Sequence, residues 1–349
     1  MTRILCIGMG GVGVIVSYGL SLNPEVEVTA VVRSAYTKVT EQGYTISSVD
    51  YGGRRNNDDP NEAENAIKGF RPHKVVKALS ELKSSDPFDY IVVSTKCIPS
   101  DNNVWDDVEQ AKSFLIKPNR GTSIVLVQNG IDIEQYWDSL APEVNLISGV
   151  SYISSTNIDC LVTQYGTDIS LYGLFDFTRL DDLQAKQSLS TFVELLSNPY
   201  NSISIDHNTR LTRWKKLLYN ASFNSVCCLT KKDVGQLFEA EGFTDRVIVP
   251  MMEQVMEAAN DDLQRYDYGE HNGLISRENI TFLMDATRKS DAVNNYRPSM
   301  LVDALHGRPI ELEIIMGNIV RIYGKNNPGQ GDDKISKLRL VYDLLAMQN

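Results

Sequence analysis

The chain has 349 residues, about twice a typical domain of roughly 100–200 residues, so two domains are expected. With 42% hydrophobic and 23% charged residues it can bury a sizeable core, which excludes wholesale disorder. Its 34 basic and 45 acidic residues leave a net charge of −11, the opposite of the basic footprint of a nucleic-acid or anionic-membrane binder.

In chain order, Ile4 to Ile7 reads as a short buried strand that runs into Gly8-Met9-Gly10-Gly11-Val12-Gly13 and a helix through Leu20. Further strands are predicted at Val26 to Val32, Tyr90 to Ser94, Ile124 to Val127 and Val144 to Val150. Continuous apolar runs separated by helical stretches are what a parallel sheet covered on both faces requires. The polar stretch 50–65, rich in turn formers, reads as a mobile surface insertion. From about 160 to 175 the pattern resembles a hairpin, Cys160 to Thr163 against Ile169 to Gly173. A helix over 181–196 and a last strand at Ile203 to Ile205 follow, and beyond Asp206 the periodicity is helical. The expected organisation is an α/β dinucleotide-binding domain of the Rossmann type over 1–205 and an all-α domain over 206–349.

The five cysteines, Cys6, Cys97, Cys160, Cys227 and Cys228, are odd in number and show no C-x-x-C spacing. Neither a disulfide framework nor a zinc site is expected, and a reducing compartment suits them. The four histidines are dispersed, so no metal centre is expected. No signal peptide and no apolar run of about 20 residues is read, which makes a cytoplasmic location the expectation.

Gly8 to Gly13 matches G-x-G-x-x-G between a strand and a helix. Glycines there let a pyrophosphate approach the backbone, and the helix presents its first amides to the anion. NAD sites usually place an acid at the end of the second strand. This chain has Arg33 instead, whose guanidinium suits the 2′-phosphate of NADP, unless it is an ordinary surface arginine.

In Trp214-Lys215-Lys216-Leu217-Leu218-Tyr219-Asn220-Ala221-Ser222-Phe223-Asn224, a step of about 100° per residue puts Lys216, Asn220 and Asn224 on one helical stripe. The stripe is either solvated or aimed at a ligand. A partly buried lysine there could act as a general acid, because desolvation moves its pKa toward working pH. Further on, Gly307 and Pro309 suit a helix stop and a helix start, placing Glu311 in a first turn. A glutamate there is either a helix-start carboxylate or a site residue.

Taken in order, these residues resemble the ketopantoate reductase (2-dehydropantoate 2-reductase) family over nearly the whole chain. The resemblance rests on the glycine loop, Ser94-Thr95-Lys96, Gln128-Asn129-Gly130, the W-x-K-x-x-x-N-x-x-x-N helix and the segment from Ser299-Met300 to Glu311. It implies NADPH-dependent reduction of a 2-keto acid, ketopantoate above all, to the 2-hydroxy acid, in a cleft between the two domains and in pantothenate biosynthesis. Gly8, Met9, Gly10, Gly11, Val12 and Gly13 would hold the pyrophosphate, Arg33 the 2′-phosphate, and Lys96 would lie along the cofactor. Ser154 would contact the cofactor through its loop, and Asn129 both nicotinamide and substrate. Lys216 would donate the proton, Asn220, Asn224 and Ser299 would orient the substrate, and Glu311 would position cofactor or substrate. The bacterial pattern has a further asparagine where this chain has Val234. The implied partner is a small keto acid, with no nucleic acid or membrane, and a homodimer is allowed. Two other functions stay open: a related dehydrogenase acting on another keto acid or a polyol phosphate, and a non-catalytic NADP-binding regulator.

Overall fold

The computed structural model describes residues 1–52, 65–83, 87–100, 103–175 and 179–348. Most of the insertion expected at 50–65 lies outside the described residues. The chain divides into two compact units, Met1–Lys96 with Asn103–Gln128 and Glu134–Thr209, and Cys97–Asn102 with Asn129–Ile133 and Arg210–Asn349.

The first unit is α/β. Its elements are β1 (Thr2–Ile7), α1 (Gly11–Ser21), β2 (Val26–Val31), α2 (Tyr36–Gln42), β3 (Tyr44–Ser48), β4 (Ile67–Phe70), β5 (Lys74–Val76) and β6 (Tyr90–Val93). They continue as α3 (Val104–Leu115), β7 (Ser123–Val127), β8 (Asn145–Ser151), β9 (Ser155–Ile158), β10 (Leu161–Gln164), β11 (Ile169–Leu174), α4 (Leu183–Leu196) and β12 (Ser202–Ile205). The main sheet has the order β12-β11-β8-β7-β6-β1-β2-β5. From β8 to β5 every pairing is parallel. β11 turns back antiparallel to β8 and carries β12 parallel to itself, so the sheet is mixed at that edge.

The apolar runs explain the parallel part, because strands covered on both faces have no polar side to alternate with. Val14, Ile15 and Leu20 of α1 and Ala185, Leu189 and Phe192 of α4 join Ile4, Cys6, Val28, Val92, Val125 and Ile147 in one buried cluster. Each Val, Leu, Ile or Phe side chain among them contributes about 1.5–3 kcal/mol through burial.

The expected hairpin over 160–175 does not form. β10 pairs with β9 and β3 in a separate four-stranded sheet of order β4-β3-β10-β9, whereas β11 belongs to the main sheet. The hairpin that does form turns through Asp159 and Cys160, at φ 51° and 65°. Two positive φ values suit the twist of a two-residue hairpin loop, but that loop is usually signalled by Asn-Gly or Asp-Gly. A cysteine in the second place hides it.

The second unit is helical: the rest of α5 (Thr209–Tyr219), then α6 (Ser225–Thr230), α7 (Val234–Glu239), α8 (Val249–Leu263), α9 (Arg277–Thr287), α10 (Ser299–Leu305), α11 (Asn318–Asn326) and α12 (Ser336–Ala346). π-Helical turns occupy Asn220–Asn224, Thr244–Ile248, Arg288–Ala292 and Glu313–Gly317. Its core gathers Trp214, Phe223, Met251, Met252, Val255, Ile314 and Ile319, all buried. Asp262 of α8 ties α5 to it, accepting from Arg210 Nε at 2.6 Å, Arg210 Nη2 at 2.9 Å and Trp214 Nε1 at 2.8 Å. Among the described residues no helix is long and apolar enough to cross a membrane, and all five cysteines are buried thiols.

Candidate functional site

Two groups of residues stand out, one in each unit. In the first, the glycine loop joins the end of β1 to α1. Gly8 adopts φ 98°, and a Cβ on it would strike the Thr95 amide, while a Cβ on Gly13 would strike the Gly8 carbonyl and Ser94 Oγ. These two glycines are required by packing alone. Gly10 is different: a Cβ built there meets no described heavy atom within 4 Å, so its side is open. It stands at the N-cap of α1 in an extended conformation, with no side chain capping the helix. The amides of the first turn, at Gly11, Val12 and Gly13, have no partner within the helix, and beside them the Gly10 position is open among the described residues. That is the arrangement a phosphate uses.

Neighbouring segments hold the loop in place. Ser94 Oγ donates to the Gly8 carbonyl at 2.6 Å, and Gln128 Nε2 donates to the Thr95 carbonyl at 2.7 Å. Asn157 Nδ2 donates to the Met9 carbonyl at 2.9 Å. Beside Gly11, the Ser155 hydroxyl is buried with no hydrogen-bond partner among the described residues. Ser155 and Asn157 were not legible in the sequence, because they reach the loop from β9 of the unforeseen sheet. Met9 and Val12 pack against the core cluster, Ser154 is partly buried just before β9, and Lys96 is exposed.

Arg33 follows β2 by two residues and pairs with Asp107 of α3 at 3.0 Å, both side chains being about half exposed (54% and 42%). A pair so exposed is worth only about 0–1 kcal/mol. The guanidinium can therefore exchange this partner for a phosphate.

In the second unit, three of the predicted residues are joined by hydrogen bonds. Lys216 Nζ donates to Asn129 Oδ1 at 2.8 Å. Asn129 Nδ2 donates to Glu311 Oε2 at 3.2 Å, and the other oxygen of Glu311 accepts the Cys97 amide at 3.3 Å. The segment carrying Asn129 is pinned along its length. Arg213 holds the Gly130 carbonyl at 3.0 Å, the Ile131 amide donates to the Ile314 carbonyl at 3.2 Å, and Arg210 pairs with Asp132 at 2.6 Å. Burial pushes the Lys216 amine down to about 8, the Arg213 charge adds to that, and Glu311 opposes it. An ordinary lysine titrates near 10.4, so this one sits much closer to working pH.

The stripe expected of Lys216, Asn220 and Asn224 runs into a π-helical turn over Asn220–Asn224, where the α-helical step widens. Asn220 and Asn224 are neighbours there, Asn224 Nδ2 donating to Asn220 Oδ1 at 3.2 Å. Both are buried, and Asn224 Oδ1 has no hydrogen-bond partner among the described residues, an acceptor available to a ligand hydroxyl. Ser299 is the exposed first residue of α10, which packs against this turn. Glu311 is also displaced from its expected place. It lies ahead of the first helical residue, its carbonyl accepting from the Ile315 amide at 3.2 Å, and its side chain reaches Asn129.

Residues 4–172 match the family model for ketopantoate reductase PanE/ApbA, and residues 208–346 the model for the C-terminal part of the same family. An uncharacterized protein of Saccharomyces cerevisiae is 34% identical, over 99% of this chain and 93% of its own length. Among solved structures, a 2-dehydropantoate 2-reductase from Geobacter metallireducens is similar with a TM-score of 0.75 at 20% identity, covering 99% of this chain and 100% of its own. A D-mandelate dehydrogenase bound to NADH and anilino(oxo)acetate is similar with a TM-score of 0.76 at 17% identity, covering 100% and 98%.

Proposed function

Because the chain belongs to the ketopantoate reductase family of oxidoreductases, we infer that it reduces a 2-keto acid to the 2-hydroxy acid with NADPH, ketopantoate being the first candidate. The observation that carries this reading is the Lys216 amine, brought down to about 8 and hydrogen-bonded to Asn129. Hydride addition builds negative charge on the carbonyl oxygen, and a nearby ammonium both stabilises that oxygen and delivers its proton. Asn129 holds the amine in one orientation, and Glu311 holds Asn129. The unpartnered carbonyl of Asn224 would accept a hydrogen bond from the substrate, with Asn220 and Ser299 completing its orientation.

The glycine loop fits a nicotinamide dinucleotide on two observations: the open side of Gly10 and the orphaned Ser155 hydroxyl. Such a cofactor, when bound, supplies the hydride. Gly8 to Gly13 would cradle its pyrophosphate, Lys96 and Ser154 would lie along it, and Arg33 would take the 2′-phosphate. The assignment gives a cofactor part over 1–205 and a substrate and proton-donor part over 206–349, with Asn129 joined to the latter through Lys216.

A second substrate reading has its own support. Val234, where the bacterial pattern has asparagine, is fully buried at the start of α7 with its amide on the Tyr296 carbonyl. It offers a substrate no polar group, which favours a keto acid lacking the feature that asparagine would recognise. NADPH oxidation measured against a panel of 2-keto acids, ketopantoate included, separates the two. Tight NADPH binding without turnover of any of them would leave the regulator reading standing instead.

Arg33→Ala is expected to weaken NADPH at least tenfold more than NADH, since a charge-assisted bidentate contact exists only with the former. Fluorescence titration with each cofactor checks this, and equal weakening of both would refute the 2′-phosphate assignment. The pH dependence follows from the same site. Reduction needs the Lys216 ammonium, so kcat/KM, which reports the free enzyme, should fall about tenfold per pH unit above a midpoint near 8. Oxidation of the hydroxy acid needs the neutral amine and should rise over the same interval. A reductive profile flat through that region would remove Lys216 from the role.

A further inference from the structure

Lys216, partly buried, shares its helix with a buried cation. Arg213 lies three residues earlier on α5 and is buried, and residues at that spacing stand about 5–6 Å apart at Cβ. Arg213 Nη1 donates to the Gly130 carbonyl at 3.0 Å. Gly130 follows Asn129 in a left-handed conformation, φ 97°, and a Cβ on it would come within 2.7 Å of the Ile314 carbonyl oxygen. The peptide that Arg213 grips is therefore confined, and it is the peptide next to the carboxamide on which the Lys216 amine rests.

We propose that Arg213 is a positioning residue for Lys216: it holds the Gly130 peptide so that Asn129 stays on the amine, and its permanent charge one turn away makes Lys216 the readier proton donor. This rests on Lys216 being the proton donor. The charged groups acting on Lys216 include Arg213 from its own helix and Glu311 from the segment ahead of the 313–317 turn. Asn129, from the segment after β7, is neutral, and Asp132 in that segment is engaged by Arg210 at 2.6 Å. Of the two charges Arg213 weighs more, and Glu311 is already committed through both oxygens to Asn129 and the Cys97 amide. A guanidinium cannot shed its proton in a protein, so the repulsion it exerts is constant wherever the enzyme works. A lysine at 213 would keep the charge near neutrality but lose the planar grip on Gly130.

The test compares wild type with Arg213→Gln, Arg213→Met and Arg213→Lys by two measurements. One is the alkaline limb of kcat/KM. The other is the pH dependence of Lys216 acylation by trace acetic anhydride, read on the Lys216 peptide by mass spectrometry, which needs no turnover. Both neutral variants should move both midpoints upward by about one pH unit or more, toward an ordinary lysine. Arg213→Lys should keep the wild-type midpoint while lowering kcat. A residue that merely supports the fold would lower activity and leave the midpoints in place, and unmoved acylation in folded neutral variants overturns the proposal. A protein that folds only with a cation at 213 also overturns it, by assigning Arg213 to stability. If acylation shifts but wild type reduces no keto acid, the proton-donor reading is what has failed, and the proposal falls on that separate ground.

Discussion

Lys216→Ala is expected to lower kcat for keto-acid reduction by about 10²–10⁴-fold, the usual loss when a positioned general acid is removed. The substitution takes away the proton and the charge that faces the developing alkoxide, while Asn129 remains held by Glu311. Cofactor affinity should change little, because Lys216 is not among the groups that hold the glycine loop. Lys216→Arg should not restore the rate, since a guanidinium keeps its protons where an amine titrating near 8 releases them. Steady-state kinetics with a saturating keto acid checks both variants. Turnover within a few-fold of wild type in Lys216→Ala would exclude the assigned role.

Asp262→Ala should destabilise the helical unit by about 3–5 kcal/mol, the range for breaking a buried ion pair from one side. Asp262 is buried and accepts three hydrogen bonds, two from the buried Arg210 and one from the Trp214 indole. Its removal leaves a desolvated guanidinium with Asp132 as its remaining carboxylate and leaves the indole N–H with no acceptor there. The tryptophan of the W-x-K motif thus anchors α5 through its nitrogen, and the same helix carries Lys216. Urea unfolding followed by tryptophan fluorescence measures the loss, and a change below about 1 kcal/mol would show that the pair is dispensable.

The sequence carried the parts of this fold whose physics is local. A buried strand running into glycines and then a helix is legible at β1, Gly8–Gly13 and α1, because chain reversal and close packing demand those residues there. Lys216, Asn129 and Glu311 were legible as separate motif members, and the structure supplies the hydrogen bonds that join them. Partnerships across long separations were not legible. Asn157 reaches Met9 over 148 positions, and no periodicity announces such a contact. The second sheet escaped for the same reason, its strands coming from Tyr44–Phe70 and Ser155–Gln164. Arg213 is the intermediate case. Its three-residue offset from Lys216 is visible in the sequence, but its hold on Gly130 is not.

The π-helical turn at Asn220–Asn224 changes what the lysine–asparagine motif means to a protein engineer. Copying W-x-K-x-x-x-N-x-x-x-N onto a straight helix would reproduce the order of its residues but not their directions, because the widened turn re-aims everything after Tyr219. A transplant would need the extra turn and the buried surroundings that stabilise it, Ala221, Phe223 and Ser225 among them. Conversely, deleting one residue between 220 and 224 would let a regular helix form, with the asparagines three residues apart and everything after them turned by about 100°. The motif is portable only together with its irregularity.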